Sequence, residues 1–528
     1  MAAKKYALLS VADKRFISNF GRDLLKSGYD LLATGGTYAR LRESGVPCKE
    51  LSRIFKSPVL LGGRVKTLQM QVHAAILADR SNPSHMKDLQ KQGITPIDFV
   101  VVNFYALPQK PASAMAVAAG AMEMVDIGGP TLVRAAAKNY QHVAVISSVE
   151  QYREISRELK VSGTISPETR LRLASEAFAA VATYDAALNA WFQGMLPKEA
   201  LVEKPRAAPK ELLPDKVTLQ LKRVQNLRYG ENPHQRAARY AGPNLSVVPF
   251  KVLQGKEMSY NNFLDASSAL AIVSAEYPEP IVACIVKHLN PCGIAVGANE
   301  VDTFIRAREA DAQSAFGGVV GLSCPVGGAL ADELRKTFFE IVVAPTFDAD
   351  ARQVLASKLN LRLVQATPAD CRTALAAGAK LSAHLFGVML QEHDLVQENW
   401  EDLQAVTDHA PAEALRQDIL LGLTFIRFLR SNSICLVKDR VMVGAGSGQM
   451  SRVDAAEIAL RKAGKRASGA VLVSDGFFPF ADAIELAAKA KVGCIVAPAG
   501  SKRDQEVVSA ANKLRVPFVF APYRHFLH

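Results

Sequence analysis

The residues of this chain best suited to chemistry lie in short runs where glycine-exposed backbone stands beside lysine, aspartate or histidine. Lys287-His288-Leu289-Asn290-Pro291-Cys292-Gly293 follows the apolar run Ile281–Val286. A cation and a base of near-neutral pKa are thereby placed at the carboxyl end of a strand-like segment, where α/β proteins bind ligands. A histidine alone in that position is more often structural, so its neighbours decide. Asp126-Ile127-Gly128-Gly129-Pro130-Thr131 leads into a helical pattern carrying Arg134 and Lys138. A carboxylate, bare amides and a lysine about two turns in can face one pocket, which suits proton transfer. Gly62-Gly63-Arg64-Val65-Lys66-Thr67 sets two cations and a hydroxyl behind glycines, fit for a phosphate or a developing oxyanion.

Other runs suit recognition. Thr34-Gly35-Gly36-Thr37 lies between a strand-like and a helical segment, so its amides and hydroxyls can cradle a phosphate, although a plain turn reads the same way. Asp13-Lys14 follows the first strand-like run and, alone, reads as a solvated pair. Arg228-Tyr229, within Leu227-Arg-Tyr-Gly-Glu-Asn-Pro-His-Gln235, joins a forked donor to an aromatic face. Gly444-Ala-Gly-Ser-Gly-Gln-Met-Ser-Arg452 could wrap a phosphate or a flat ring. Phe477, Phe478 and Phe480 beside Asp482 could wall a ring site, with core packing as the default reading.

These runs need a scaffold that brings strand ends together. Tyr6–Val11, Tyr29–Ala33, Ile97–Asn103 and Val143–Ser147 alternate with helix-length segments, predicting a parallel sheet covered by helices. A long helix over 166–192 closes this first α/β domain, 1–196. The segment 197–216, with Pro197, Pro205, Pro209 and Pro214, reads as a linker. The region 217–528 is again α/β, with strands at Ile281–Val286, Ile341–Ala344, Ala470–Val473 and Gly493–Ala497. Ala283-Cys-Ile-Val-Lys-His and Gly493-Cys-Ile-Val-Ala-Pro share a core that hints at duplicated subdomains.

At 528 residues the chain is too long for one core, at about 150 residues per domain. A net charge of +12 favours anionic partners, but no nucleic-acid motif or basic stripe with exposed aromatics accompanies it. Seven scattered cysteines without a C-x-x-C pair fit reduced thiols, and no run reaches the ~18 apolar residues of a membrane span. A cytoplasmic enzyme without membrane or nucleic-acid partners is expected.

Taken in order, the motifs at 62–67, 126–131, 228–235 and 287–293 resemble the bifunctional AICAR formyltransferase/IMP cyclohydrolase family, and the likeness runs to the final Arg524-His-Phe-Leu-His528. The resemblance implies a methylglyoxal-synthase-like domain, then a transformylase region of two cytidine-deaminase-like α/β subdomains divided near 380–400, in a homodimer. For ring closure to inosine monophosphate it implies phosphate contacts at Lys14, Thr34, Gly35, Gly36 and Thr37, with Arg64 and Thr67 also binding substrate. Chemistry is implied at Lys66, Tyr105, Asp126 and Lys138, the last moving protons with Asp126 as its partner. For formyl transfer from 10-formyltetrahydrofolate it implies His288 as base and Lys287 as oxyanion stabiliser. Substrate contacts are implied at Arg228, Tyr229, Gly317, Glu340, Asn432, Arg452, Phe477 and Arg524, and folate contacts at Asp482, Ser501 and Lys502. The second region lacks H-x-E and P-C-x-x-C, so no catalytic metal is expected, while a monovalent cation stays open.

The chain departs from the family pattern at Gln69-Met70 (usually His-Pro), Phe104 and Ala106 (Leu and Pro), Ser447 (Ala) and Ala481 (Arg). Altered ring-closure walls and weaker folate binding are the expectations. The alternative keeps only formyl transfer, with the N-terminal domain as a nucleotide- or phosphate-binding module.

Overall fold

The computed structural model describes the chain except residues 1–3, 56–60, 62–64, 105–121, 123–124, 196–212, 214–216, 218, 220 and 243–244. Two compact units emerge, Met1–Ala208 and Pro209–His528, so the division falls within the proline-bearing segment.

In the first unit, β-branched and leucine-rich runs form five strands among the described residues. Their spatial order is Lys49–Glu50, Tyr29–Ala33, Lys5–Val11, Ile97–Asn103 and Ala144–Ile146, all parallel. The central strands are buried on both faces, as their unbroken apolar runs require. The strand order reverses beside Lys5–Val11, so the carboxyl ends of this strand and of Ile97–Asn103 open a crevice of the kind in which such sheets bind ligands. The helix Pro167–Met195 extends the predicted one by three residues at its C-terminal end.

The second unit is built on a twelve-stranded mixed sheet whose halves repeat one plan. In the first half, the hairpin Ile281–Lys287/Asn290–Gly297 is followed outward by Val319–Leu322, Ile341–Ala344 and Arg362–Gln365, parallel to one another, and then by the edge strand Lys251–Gln254. In the second half, the hairpin Ile434–Lys438/Val441–Gly446 leads to Val471–Ser474, Cys494–Pro498 and Phe518–Ala521, with Gln404–Ala405 at the edge. The halves meet where Ala295 pairs with Val441.

This layout confirms duplication but corrects the pairing that suggested it. Ile281–Lys287 has its counterpart in Ile434–Lys438, not in Cys494–Pro498. Cys284 Sγ donates to the Ala269 carbonyl at 3.5 Å, and Cys435 Sγ to the Gly422 carbonyl at 3.8 Å. A Cβ on Gly293 would stand 2.0 Å from the Ala307 carbonyl oxygen, and one on Gly444 2.3 Å from that of Ala459, so each hairpin admits a closely packed helix.

Candidate active sites

In the first unit, the strand ends and their loops converge through a series of contacts. Thr34 and Ser10 share a hydrogen bond of 2.8 Å between hydroxyls, and the buried Thr37 hydroxyl accepts from the Val11 amide at 2.9 Å. Gly35, at φ +45°, opens the helix Gly35–Glu43 without a side-chain cap, which leaves its first amides for an anion. Lys14 Cε lies 3.3 Å from the Cβ position of Gly36, and Lys66 Nζ 3.9 Å from that of Gly35. Two cations therefore border one glycine turn.

The next segment approaches from the other side. Thr67 is buried, and its hydroxyl lies 2.3 Å from where a Gly128 Cβ would stand. Asp126 accepts the Gly129 amide at 2.8 Å, while its own amide donates to the Tyr184 hydroxyl at 2.8 Å. Burial pushes the Asp126 carboxyl above the usual carboxylate range, opposed by the Gly129 amide. A carboxyl so raised is suited to exchanging protons.

Among the described residues no hydrogen bond or ion pair joins Asp126 to Lys138. Lys138 ends the helix Gly128–Lys138 and is exposed, ten residues and about 15 Å of helical rise from Gly128. That exceeds a lysine's reach, so the two are not paired directly. Arg64 and Tyr105 lie outside the described residues.

In the second unit, the hairpin turn presents Lys287 and His288. Lys287 Nζ donates to the Phe316 carbonyl at 2.6 Å, which fixes it beside Gly317 (φ +72°), whose Cβ position it approaches within 3.7 Å. His288 is exposed and borders a cleft of about 340 Å³ together with Lys287, Asn290, Ser447, Gln449 and Lys462. Asn290 Nδ2 donates to the His288 carbonyl at 3.0 Å, and the Ser447 hydroxyl bonds Asn290 Oδ1 at 2.6 Å. This bridge joins the Lys287–His288 turn of the first half to the glycine-rich loop of the second.

Beyond the bridge, Asn432 Nδ2 donates to the Gln449 and Met450 carbonyls at 3.0 and 3.2 Å and its Oδ1 accepts from Arg452 at 3.0 Å. Arg452 also binds the Ser474 hydroxyl at 3.0 Å and the fully buried Asp475 carboxylate. Its fork is thus directed inward, where it supports Asn432.

The remaining expected contacts are spread more widely. Phe477 is partly exposed, with its ring 4.0 Å from the Cβ position of Gly500, beside Ser501 and Lys502. Asp482 accepts the Ala483 amide at 2.7 Å. Glu340 is paired with Arg362 at 2.9 Å. Arg524 lies over the Phe526 ring at 4.8 Å, on a tail whose Leu527 exchanges hydrogen bonds with Ser431. Arg228 and Tyr229 bond each other at 2.8 Å, and no hydrogen bond among the described residues ties them to Lys287 or Asn432. Among the described residues no group of three His, Cys, Asp or Glu could hold a metal ion. No helix there is long and apolar enough to cross a membrane.

Sequence reading passed over Asp475, Asp265 and His525. His525 is buried, with Nδ1 2.7 Å from Asp394 and Nε2 2.6 Å from Glu398. Burial alone would lower its pKa, but the two carboxylates carry it up to about 9. A raised folded pKa gives stability that is full below the unfolded value near 6.5 and is lost as pH rises through about 9. Thermal midpoints of the native chain are therefore expected to fall between pH 6.5 and 9.5, and His525→Gln to flatten that fall; equal slopes for both proteins refute the linkage.

Comparison with known proteins identifies the family. The family model described as "AICARFT/IMPCHase bienzyme" matches residues 136–462, and that described as "MGS-like domain" matches 17–131. The bifunctional purine biosynthesis protein PurH of Bacillus mycoides (strain KBAB4) is 40% identical over 528 residues, spanning 99% of this chain and 100% of that protein. PurH of Bacillus cereus (strain B4264) is 39% identical over the same shares. The chain belongs to the AICARFT/IMPCHase bienzyme family.

Within this bienzyme the departures have distinct surroundings. Gln69 is buried; its Nε2 donates to the Lys66 carbonyl at 2.8 Å, and its Oε1 has no partner among the described residues. Met70 is exposed, and Ala106 lies outside the described residues. Ser447 supplies the bridge to Asn290. Beside Ala481, the Arg503 guanidinium stacks over Phe480 at 4.9 Å, so a cation still stands near this position.

Proposed function

We propose that the unit holding Lys287 and His288 moves a formyl group from 10-formyltetrahydrofolate to the 5-amino group of AICAR. The N-terminal unit then closes the product, FAICAR, to inosine monophosphate. The observation that carries this reading is the Asn290–Ser447 bridge, which sets the Lys287–His288 turn and the Asn432–Arg452 group around one region in a bienzyme-family chain.

In formyl transfer, the AICAR amine bonds to the formyl carbon as His288 takes its proton, and the bond from that carbon to N10 of the folate then breaks, N10 leaving protonated as tetrahydrofolate. Lys287 has one of its three donors on the Phe316 carbonyl and two left for the oxygen of the formyl carbon as it becomes tetrahedral. In ring closure, the carboxamide nitrogen bonds to the formyl carbon and the formyl oxygen departs as water. Lys14, Lys66 and the Gly35 and Gly36 amides hold the phosphate, and Asp126 carries protons.

A Cβ on Gly129 would lie 2.3 Å from Asp126 Oδ2. Gly129→Ala is expected to slow conversion of FAICAR about 10- to 100-fold by displacing that carboxyl, with formyl transfer preserved.

Incubating the protein with AICAR and 10-formyltetrahydrofolate, while following tetrahydrofolate and inosine monophosphate, tests the whole reading. Both products support it. Tetrahydrofolate with accumulating FAICAR leaves the N-terminal unit as a phosphate-binding module, and no product removes the assignment.

A cytoplasmic homodimer completes the proposal. The ribbon Ala379–His384/Gly387–Glu392 exposes Leu385, Phe386, Val388 and Met389, an apolar surface suited to a second copy. Sedimentation equilibrium reads this directly.

A further inference from the structure

His288 and Leu289 have φ of +53° and +65°, and the flanking Lys287 and Asn290 are paired, so the turn is a two-residue hairpin loop with both residues left-handed. That geometry favours Asn-Gly, and a leucine adopts it only where the surroundings impose it. The imposing group is Asp265, on the helix Tyr260–Ser274 packed beneath the hairpin. Its carboxylate accepts the Leu289 amide at 2.7 Å.

The second half of the sheet shows the same device. Asp439 and Arg440, at φ +51° and +64°, occupy the equivalent turn. Asp418, on the helix Arg416–Ile426, accepts both of their amides at 2.8 Å. The lysines match too, since Lys438 Nζ donates to the Ser468 carbonyl at 2.7 Å beside Gly469 (φ +75°), as Lys287 does to Phe316 beside Gly317. The carboxylate under the turn is therefore a built feature of the repeat, and the two halves differ in what the turn presents: an imidazole in one, a carboxylate in the other.

We propose that Asp265 is a positioning residue for formyl transfer, its carboxylate holding the His288–Leu289 turn in the left-handed form that presents the imidazole to the cleft. This rests on the reading of His288 as the base. Asp265 touches no reacting atom; without it the turn relaxes toward ordinary backbone angles and the imidazole leaves its position, an error of the size that costs about 100-fold in rate.

The test compares Asp265→Asn with Asp418→Asn and His288→Asn in the full chain, by steady-state formyl transfer and thermal melting. Asp265→Asn is expected to lower kcat about 10- to 100-fold with KM for AICAR unchanged. Asp418→Asn, which alters the matching turn, is expected to lower the melting midpoint and leave kcat alone. Equal effects of the two aspartate variants on kcat overturn the proposal, as does full activity in Asp265→Asn while His288→Asn is impaired. Full activity in His288→Asn removes the reading beneath it and the proposal together. Should Asp265→Asn not fold, the change is made in a Leu289→Gly chain, where glycine adopts the turn unaided. There recovered folding with a kcat equal to that of Leu289→Gly alone supports the role, and a kcat still about 10- to 100-fold lower overturns it, since the carboxylate then acts otherwise than on the turn.

Discussion

Formyl transfer by His288→Asn is expected to be about 10²- to 10⁴-fold slower than by the native chain, the range set by loss of a positioned general base. The substitution is well placed to isolate chemistry. His288 is exposed, so its removal opens no cavity, and asparagine tolerates the left-handed backbone that the turn requires. Ring closure of supplied FAICAR, assigned to the other unit, should proceed at the native rate and serves as the internal control. Tetrahydrofolate release, followed across pH, is the measurement. A native rate at every pH would show that the amine loses its proton to some other group.

The second large effect concerns stability. Asp475 is fully buried, and its carboxylate faces Arg452, itself only 8% exposed. Asp475→Ala leaves a guanidinium in the interior without a counter-charge and is expected to cost about 3–5 kcal/mol. Joint replacement, Arg452→Met with Asp475→Leu, removes both charges and should recover most of that loss. Activity should not return with it, because Asn432 loses the donor that orients it and Ser431 loses the 2.6 Å bond from its hydroxyl to Asp475. Denaturant unfolding of the three proteins beside formyl-transfer rates checks both halves of the expectation. A cost below about 1 kcal/mol for Asp475→Ala would place the pair among weak surface bridges.

What was legible in advance follows from how each feature is encoded. Buried strands such as Ile97–Asn103 and Ile341–Ala344 announce themselves because burial on both faces demands unbroken apolar runs. Lys49–Glu50, Lys251–Gln254 and Gln404–Ala405 lie at sheet edges, where pairing on one side suffices and no such run is needed. The turn at His288 and Leu289 escaped notice because neither residue carries the local preference of a left-handed hairpin; a carboxylate twenty-three positions upstream supplies it. Asp265 and Asp475 look ordinary in a helix or a loop, and only tertiary contact reveals their partners. The inward aim of Arg452 and the separation of Asp126 from Lys138 are likewise matters of direction and distance that residue type alone does not express. The duplication was visible through the wrong segment because Cys-Ile-Val is a common buried strand, whereas hairpin, aspartate and lysine together mark the true equivalent.

The repeated hairpins also bear on how this activity could have arisen. An ancestral pair of identical halves would have offered the same turn twice, each with a lysine and a supporting aspartate already in place. One turn holds the imidazole, and Asp439 stands in its twin over the same frame. Difference between the copies needed little new architecture: one half presents an imidazole at its turn, while the other brings Ser447 to the same cleft through Asn290. Redundancy in the scaffold became asymmetry in the chemistry.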